Sequence, residues 1–163
     1  MSDRHREELT KLGLIGLIPL IVAFIGVWLS PVIVPASLAF DLRETALIYG
    51  AMIASYSAGF GHGTILAKAD RTAEPLTPGV VAALIAWIAA WPAGSFGIPI
   101  PDIARFILVI GALAYFLMRD LRAVGEGLMP AWYGPLRTRL TFWATISLAM
   151  IVARLLISSA TGV

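Results

Sequence analysis

The chain has no cysteine, two histidines and few charges: 13% of its 163 residues are Asp, Glu, Lys or Arg. Each shortage closes off a class of function. Without cysteine there are no disulfides, thiolate metal sites or thiol nucleophiles. His5 and His62 alone make a poor ligand set for zinc or for paired-histidine haem, so no metal and no cofactor is expected. The acids fall mostly in termini and loops, no Ser-His-Asp arrangement is legible, and no glycine-rich phosphate loop follows a strand. The expectation is therefore a non-enzymatic protein. A pI near 9.3 is no nucleic-acid footprint, because the formal net charge is only +2.

What the chain has instead is long uncharged runs. Soluble domains carry about 25% charged residues, roughly twice the fraction found here. Hydrophobic residues make up 59%, and the mean hydropathy is +0.87. Leu12 to Phe40 is 29 residues without a charge, and further uncharged runs cover Thr45 to Ala67 and Pro75 to Pro101. A helix of roughly 20 apolar residues crosses a bilayer core. The expected architecture is all-α: one integral membrane domain over 1–163, a bundle of about five transmembrane helices.

The expected spans are 12–29, 45–67, 78–97, 101–118 and 139–158. Pro19 should kink the first, and Pro31 and Pro35 should end it. Ser37 to Glu44 reads as a short interfacial helix, Lys68 to Thr77 as a polar loop, and Gly94 to Pro101 as a turn region. The N-terminus is short and contains acids, unlike a transit peptide, and the first apolar run is longer than a signal sequence needs. It is expected to stay as a helix. Arg105 and Arg119 are separated by 13 residues, about 20 Å of helix against a core of roughly 30 Å. Spans four and five must therefore carry an arginine within or near their ends.

Basic residues set the orientation. Arg4, Arg6, Lys11, Lys68, Arg71, Arg119, Arg122, Arg137 and Arg139 fall on the N-terminal side, against Arg43, Arg105 and Arg154 opposite. Nine against three puts the N-terminus inside and the C-terminus outside. Asp41, Glu44 and Asp102 can pair with the three outer arginines, and Asp102 after Pro101 suits a helix N-terminus.

Small residues recur every four positions. In the second span one stripe is Ala51, Ser55, Gly59 and Gly63, and another is Gly50, Ala54 and Ala58, ending at His62. The third span answers with Ala82, Ala86, Ala90 and Gly94. Small residues let helix backbones approach in lipid. They serve internal packing or a docking face for another subunit, and spacing alone does not separate these. His62 is a candidate intramembrane polar site, as a proton relay or as a carbonyl-bonded interfacial residue. Arg154 either snorkels to headgroups or pairs with Asp102 or Glu44, and for Arg105 snorkelling is favoured. Trp132, Tyr133 and Arg137 read as interfacial anchors.

A family resemblance rests on three segments. They are Leu12-Gly13-Leu14-Ile15-Gly16-Leu17-Ile18-Pro19, then Tyr49 to Gly63, and Leu128-Met129-Pro130-Ala131-Trp132-Tyr133 with Leu136-Arg137 and Leu140-Thr141. The chain resembles an uncharacterised bacterial multi-pass membrane family, a domain of unknown function related to a mitochondrial inner-membrane transmembrane protein of animals. That family run often carries His-Trp-Gly where this chain reads Gly61-His62-Gly63, so the resemblance lends His62 no role. It implies a membrane fold and names no activity.

The expected function is a non-enzymatic accessory or assembly subunit of a larger membrane complex, respiratory by analogy, in the bacterial cytoplasmic membrane. The alternative is a small oligomeric channel or transporter using His62, Tyr56, Ser55 and the outer arginines as a polar path. Expected partners are the lipid bilayer and a larger complex or further copies of the chain, with no nucleic acid.

Overall fold

The computed structural model describes residues 3–67, 77–92 and 99–161. These fold into helices α1 (Asp3–Ile15), α2 (Ile18–Trp28), α3 (Ala36–Ala67), α4 (Thr77–Ala89), α5 (Asp102–Gly125) and α6 (Tyr133–Thr161), with no strand among the described residues. The all-α reading holds. Helix α3 is central and packs against α2, α4, α5 and α6, while α2–α6, α4–α5 and α5–α6 close the bundle.

Helices α1 and α2 form one rod with a break at Gly16-Leu17, as Pro19 predicts. Proline has no N–H, and its ring crowds the carbonyl four residues earlier, here that of Ile15, where α1 stops. Tyr49 Oη of α3 donates to the Gly16 carbonyl at this break, 2.8 Å away.

Several helix boundaries differ from expectation, among them the start of α6, at Tyr133 rather than 139. The short helix 37–44 and the span 45–67 are one 32-residue helix, about 48 Å long. Nothing in Asp41-Leu42-Arg43-Glu44 breaks a helix, and Arg43 and Glu44 find partners on α5. Helix α5 runs past Met118 to Gly125, because the Arg119 and Asp120 heads bond to α3 and α6 rather than ending the helix. Helix α4 stops at Ala89 instead of 97. Pro92 removes a helical N–H and disfavours the helical conformation at Trp91. Gly94, the expected loop 68–76 and most of the expected turn 94–101 lie outside the described residues.

The core is built from fully buried Leu20, Leu47, Val109, Leu113, Phe116, Leu148 and Ile151, with Ala46, Ala54, Ala86 and Ala89 between them. Gly50 marks a close approach within this core: a Cβ there would stand 2.9 Å from Val109 Cγ1 and 3.3 Å from Leu148 Cδ1. After α5, Gly127 takes φ 72°, a left-handed conformation that suits glycine, and the Leu128 amide turns back to Ala123 O at 2.8 Å. Leu128 and Met129 thereby tuck under Ala123 beside Tyr133.

Two helices are long and apolar enough to cross a membrane: the α1–α2 rod over Arg6–Trp28, mean hydropathy 2.2, and Tyr133–Ala160, mean hydropathy 2.0. Only 28% of each apolar window is buried within the bundle, so neither serves mainly as a core helix. Val32, Ile33, Leu12, Val22 and Phe142 all stand exposed. Helix α5 is long enough but carries charge at both ends of its apolar stretch, and α3 dilutes its uncharged 45–67 stretch with glycine, serine, tyrosine and histidine.

Candidate functional site

Buried charge gathers at two levels of the bundle. Glu44 and Ser57 lie 13 positions apart on α3, and Arg105 and Arg119 lie 14 apart on α5. At 1.5 Å per residue the two levels are about 20 Å apart, with the apolar core between them.

At the first level Asp102 opens α5, where a carboxylate meets the positive end of the helix dipole. One turn on, Arg105 is only 1% exposed. Its Nη1 and Nη2 donate to the two Glu44 oxygens, each at 2.9 Å, a bidentate fork. Nη1 also reaches Asp102 Oδ1 at 3.1 Å, and Nε caps the Ala89 carbonyl at the end of α4 at 2.9 Å. Arg43 Nη2 pairs with Asp102 Oδ2 at 3.1 Å and lies over the Phe40 ring. Two cations meet two anions, and three helices are tied together. Arg105 therefore does not snorkel; it is an interior ion-pair partner. Arg154 does not pair with Asp102 or Glu44, whose oxygens Arg43 and Arg105 already occupy. It donates to Ser158 Oγ at 2.7 Å and to the Ser30 carbonyl at 3.1 Å.

The second level is built differently. Asp120 of α5, 1% exposed, accepts from Arg137 Nε of α6 at 2.7 Å. Arg137 Nη2 donates to Ser57 Oγ of α3, which itself donates to Ile53 O at 2.7 Å. Arg119, also over nine-tenths buried, sends Nη2 to the Ser57 carbonyl at 3.2 Å and lies over the Phe116 ring. Among the described residues, two guanidinium groups here face one carboxylate. Gly61 makes the room: any Cβ there would overlap the Arg119 guanidinium. A Cβ at Gly79 of α4 would stand 2.7 Å from both Arg119 Nη1 and His62 Nε2.

The structure thus divides the expected polar set. Arg105 and Asp102 meet at the first level, half-buried His62 stands at the second, and Arg154 stands with Ser30 and Ser158. The expected anchors divide too. Tyr133 stacks on Phe60 at 5.3 Å, and the Arg6 guanidinium lies over Trp132. Arg137 is no surface anchor: it is 8% exposed and bonded inside the bundle, because Asp120 leaves it a buried partner.

The two small-residue stripes have opposite fates. Gly50, Ala54 and Ala58 are buried, as are Ala51 and Ala86, and Ala82 and Ala90 pack against the same core. Ser55, Gly59 and Gly63 are exposed, and no other group lies within 4 Å of a Cβ built at Gly59 or Gly63. Spacing alone missed Ser57, Arg119 and Asp120 as site residues. One signal was available: Asp120 is an acid set among Arg119, Arg122, Arg137 and Arg139. No group of three or more His, Asp or Glu that could hold a metal exists among the described residues.

Residues 5–153 match the family described as protein of unknown function, DUF3429. The chain belongs to the DUF3429 family. The match spans both charged levels of the DUF3429 fold and the Leu128–Tyr133 turn, and ends one residue before Arg154. Neither a curated protein nor a solved structure matches the chain.

Proposed function

We propose that this DUF3429 protein is a multi-pass membrane protein serving as a non-enzymatic accessory or assembly subunit of a larger membrane complex. The α1–α2 rod, α3, α4, α5 and α6 supply five spans, with the N-terminus inside the bacterial cytoplasmic membrane and the C-terminus outside. The nine-to-three split of basic residues supports this orientation. The outward stripe of α3 carries the accessory reading. Ser55, Gly59 and Gly63 leave a shallow, open strip on a helix whose opposite stripe is already used for internal packing. In lipid such a strip is where another helix approaches closely. A respiratory complex is the first partner to test, by analogy with an energy-coupling membrane.

The channel or transporter reading has less behind it. Arg105 bonds to Glu44 and Asp102, and Arg137 to Asp120, so these charges are engaged in two separate clusters with the apolar core between them. The test is gentle purification of the tagged protein from native membranes with mass spectrometry of what accompanies it. We expect one stoichiometric complex, depleted by Gly59→Leu or Gly63→Leu while the isolated protein keeps its stability. Recovery solely as a free monomer sinks the accessory reading.

A further inference from the structure

We propose that α1 is a hinged arm, which pivots at Gly16-Leu17 between its docked position against α6 and one swung away from it, with the Tyr49 hydroxyl as its latch. This goes beyond the accessory-subunit reading. It is measured on the isolated chain, so it stands or falls separately from that reading.

The first observation is that the break divides an anchored helix from a loosely held one. Beyond the break, α2 buries Leu20, Ala23, Gly26 and Val27. Its far end is tied twice to α6. Trp28 Nε1 donates to the Met150 carbonyl at 2.9 Å, and Arg154 Nη2 donates to the Ser30 carbonyl at 3.1 Å. Before the break, no residue from Arg6 to Ile15 is buried, and Leu12 and Ile15 are 65% and 59% exposed. Among the described residues of α1, Leu14 alone packs against the core, and it is half-buried. The seat of α1 on α6 is Gly13 against Leu140, where a Cβ would stand 2.8 Å from Leu140 Cδ1. A glycine has no side chain to interlock there. Nearer the N-terminus, the Arg6 guanidinium lies 5.8 Å over the Trp132 ring. A segment with few buried apolar contacts opens at low free energy while its neighbours stay folded.

The second observation is the chemistry of the break itself. Pro19 has no amide to give the Ile15 carbonyl, so the helical ladder loses a rung. The Leu17 amide turns to the Leu14 carbonyl at 3.1 Å, a three-residue bond in place of the usual four. The ladder resumes with the Ile21 amide on the Leu17 carbonyl, also at 3.1 Å. Ladder bonds resist bending, and a missing rung concentrates the bend at one point, which is why sharp kinks fall at prolines. A group from outside the rod holds the angle. Tyr49 Oη donates to the Gly16 carbonyl at 2.8 Å, and Tyr49 belongs to α3, the helix packed against four neighbours. The joint is thereby tied to the frame of the bundle by a single neutral hydrogen bond. Such a bond favours one angle without locking it. Swinging α1 away uncovers Leu140 and the Trp132 ring on the side of α6 that it covers when docked.

The chain has no cysteine, so a spin label attaches only where one is introduced. The test measures distances between label pairs by pulsed electron resonance, on the full chain in detergent. Leu9→Cys with Arg122→Cys reports the arm, and Val22→Cys with Arg122→Cys reports the anchored helix. Leu9, Val22 and Arg122 are all exposed. Leu9 stands about 10 Å along the helix from Gly16, so a swing of about 30° moves its label by about 5 Å. We expect one narrow distance for the Val22 pair and two distances for the Leu9 pair. Tyr49→Phe removes only the latching hydroxyl and should raise the undocked share at least about threefold. Gly13→Val drives a side chain into Leu140 and should shift the pair the same way. Pro19→Ala returns an amide to the Ile15 carbonyl and should collapse the Leu9 pair to one distance. The proposal is overturned if the Leu9 pair is as narrow as the Val22 pair in both the parent and Tyr49→Phe. An undocked share that Tyr49→Phe leaves unchanged, or a second distance that survives Pro19→Ala, overturns it too. So does widening of both pairs together, which marks a loosened bundle rather than a moving arm.

Discussion

Helix α5 buries two arginines 14 residues apart, and the bundle treats them oppositely. Arg105 receives a bidentate fork from Glu44, a second carboxylate from Asp102, and the Ala89 carbonyl. Arg119 receives one carbonyl, from Ser57. The first level is neutral and self-contained, and it fastens α3, α4 and α5 at one end. Among the described residues the second level brings two guanidinium groups to one carboxylate, Asp120, which bonds to Arg137 of α6. The partners each arginine finds among the described residues therefore distinguish the two levels more sharply than burial does. By burial alone Arg105, Arg119 and Arg137 look alike.

The comparison breaks most visibly at Asp120. Asp120→Asn removes the one carboxylate that the described residues bring to a level holding two guanidinium groups, and it takes from buried Arg137 its ion-pair partner. Removing one partner of a buried ion pair costs about 3–5 kcal/mol. Thermal or denaturant unfolding in detergent should show the largest loss of any single charge variant here. The double variant Asp120→Leu with Arg137→Met should recover much of that loss, because an apolar replacement of the whole pair is often neutral. If the single variant unfolds no more easily than the parent, Asp120 is not the counter-charge of this level.

Glu44→Gln makes the same cut at the balanced level and should cost less, about 1–2 kcal/mol. Arg105 keeps Asp102 and the Ala89 carbonyl, and the Glu44 side chain is 21% exposed, so less is stranded. Measured under the same conditions, a larger loss for Glu44→Gln than for Asp120→Asn would invert the ranking of the two levels.

Much of this fold was legible in the sequence, and the reasons are local. Pro19 announces the break at Gly16-Leu17, because proline acts on its own helix turn whatever surrounds it. The apolar runs announce the α1–α2 rod and α6. The extension of α5 past Met118 was not legible, since a charged residue reads as a boundary until its partner is known. Asp120 and Arg137 sit 17 residues apart and meet only because the Gly127 turn folds α6 back onto α5. The same holds for Arg105: the spacing of charges along the chain gave no sign that Glu44, 61 residues away, would hold it by both oxygens. Stripes of small residues were legible as stripes, but which one faces the bundle depends on the rotation of α3 against four neighbours.

The smallest effects test the second level most finely, through one substitution at two nearby glycines of α3. Gly59 faces outward with nothing within 4 Å of a built Cβ, so Gly59→Ala adds a methyl to open space. Replacing a helical glycine by alanine stiffens the unfolded chain and favours the helix by about 0.5–1 kcal/mol. The isolated protein should gain about that much. Gly61→Ala brings the same gain in propensity, but its methyl takes the volume of the Arg119 guanidinium. Arg119 must then leave the Ser57 carbonyl, and a hydrogen bond from a charged group is worth about 1.5–3 kcal/mol. The loss outweighs the gain, so the net change should be about 1 kcal/mol in the destabilising direction. Two substitutions of identical chemistry, two residues apart on one helix, should thus move the unfolding temperature in opposite directions. If both raise it, Arg119 leaves its seat at little cost, and the contact between its guanidinium and α3 is not part of what holds the second level together.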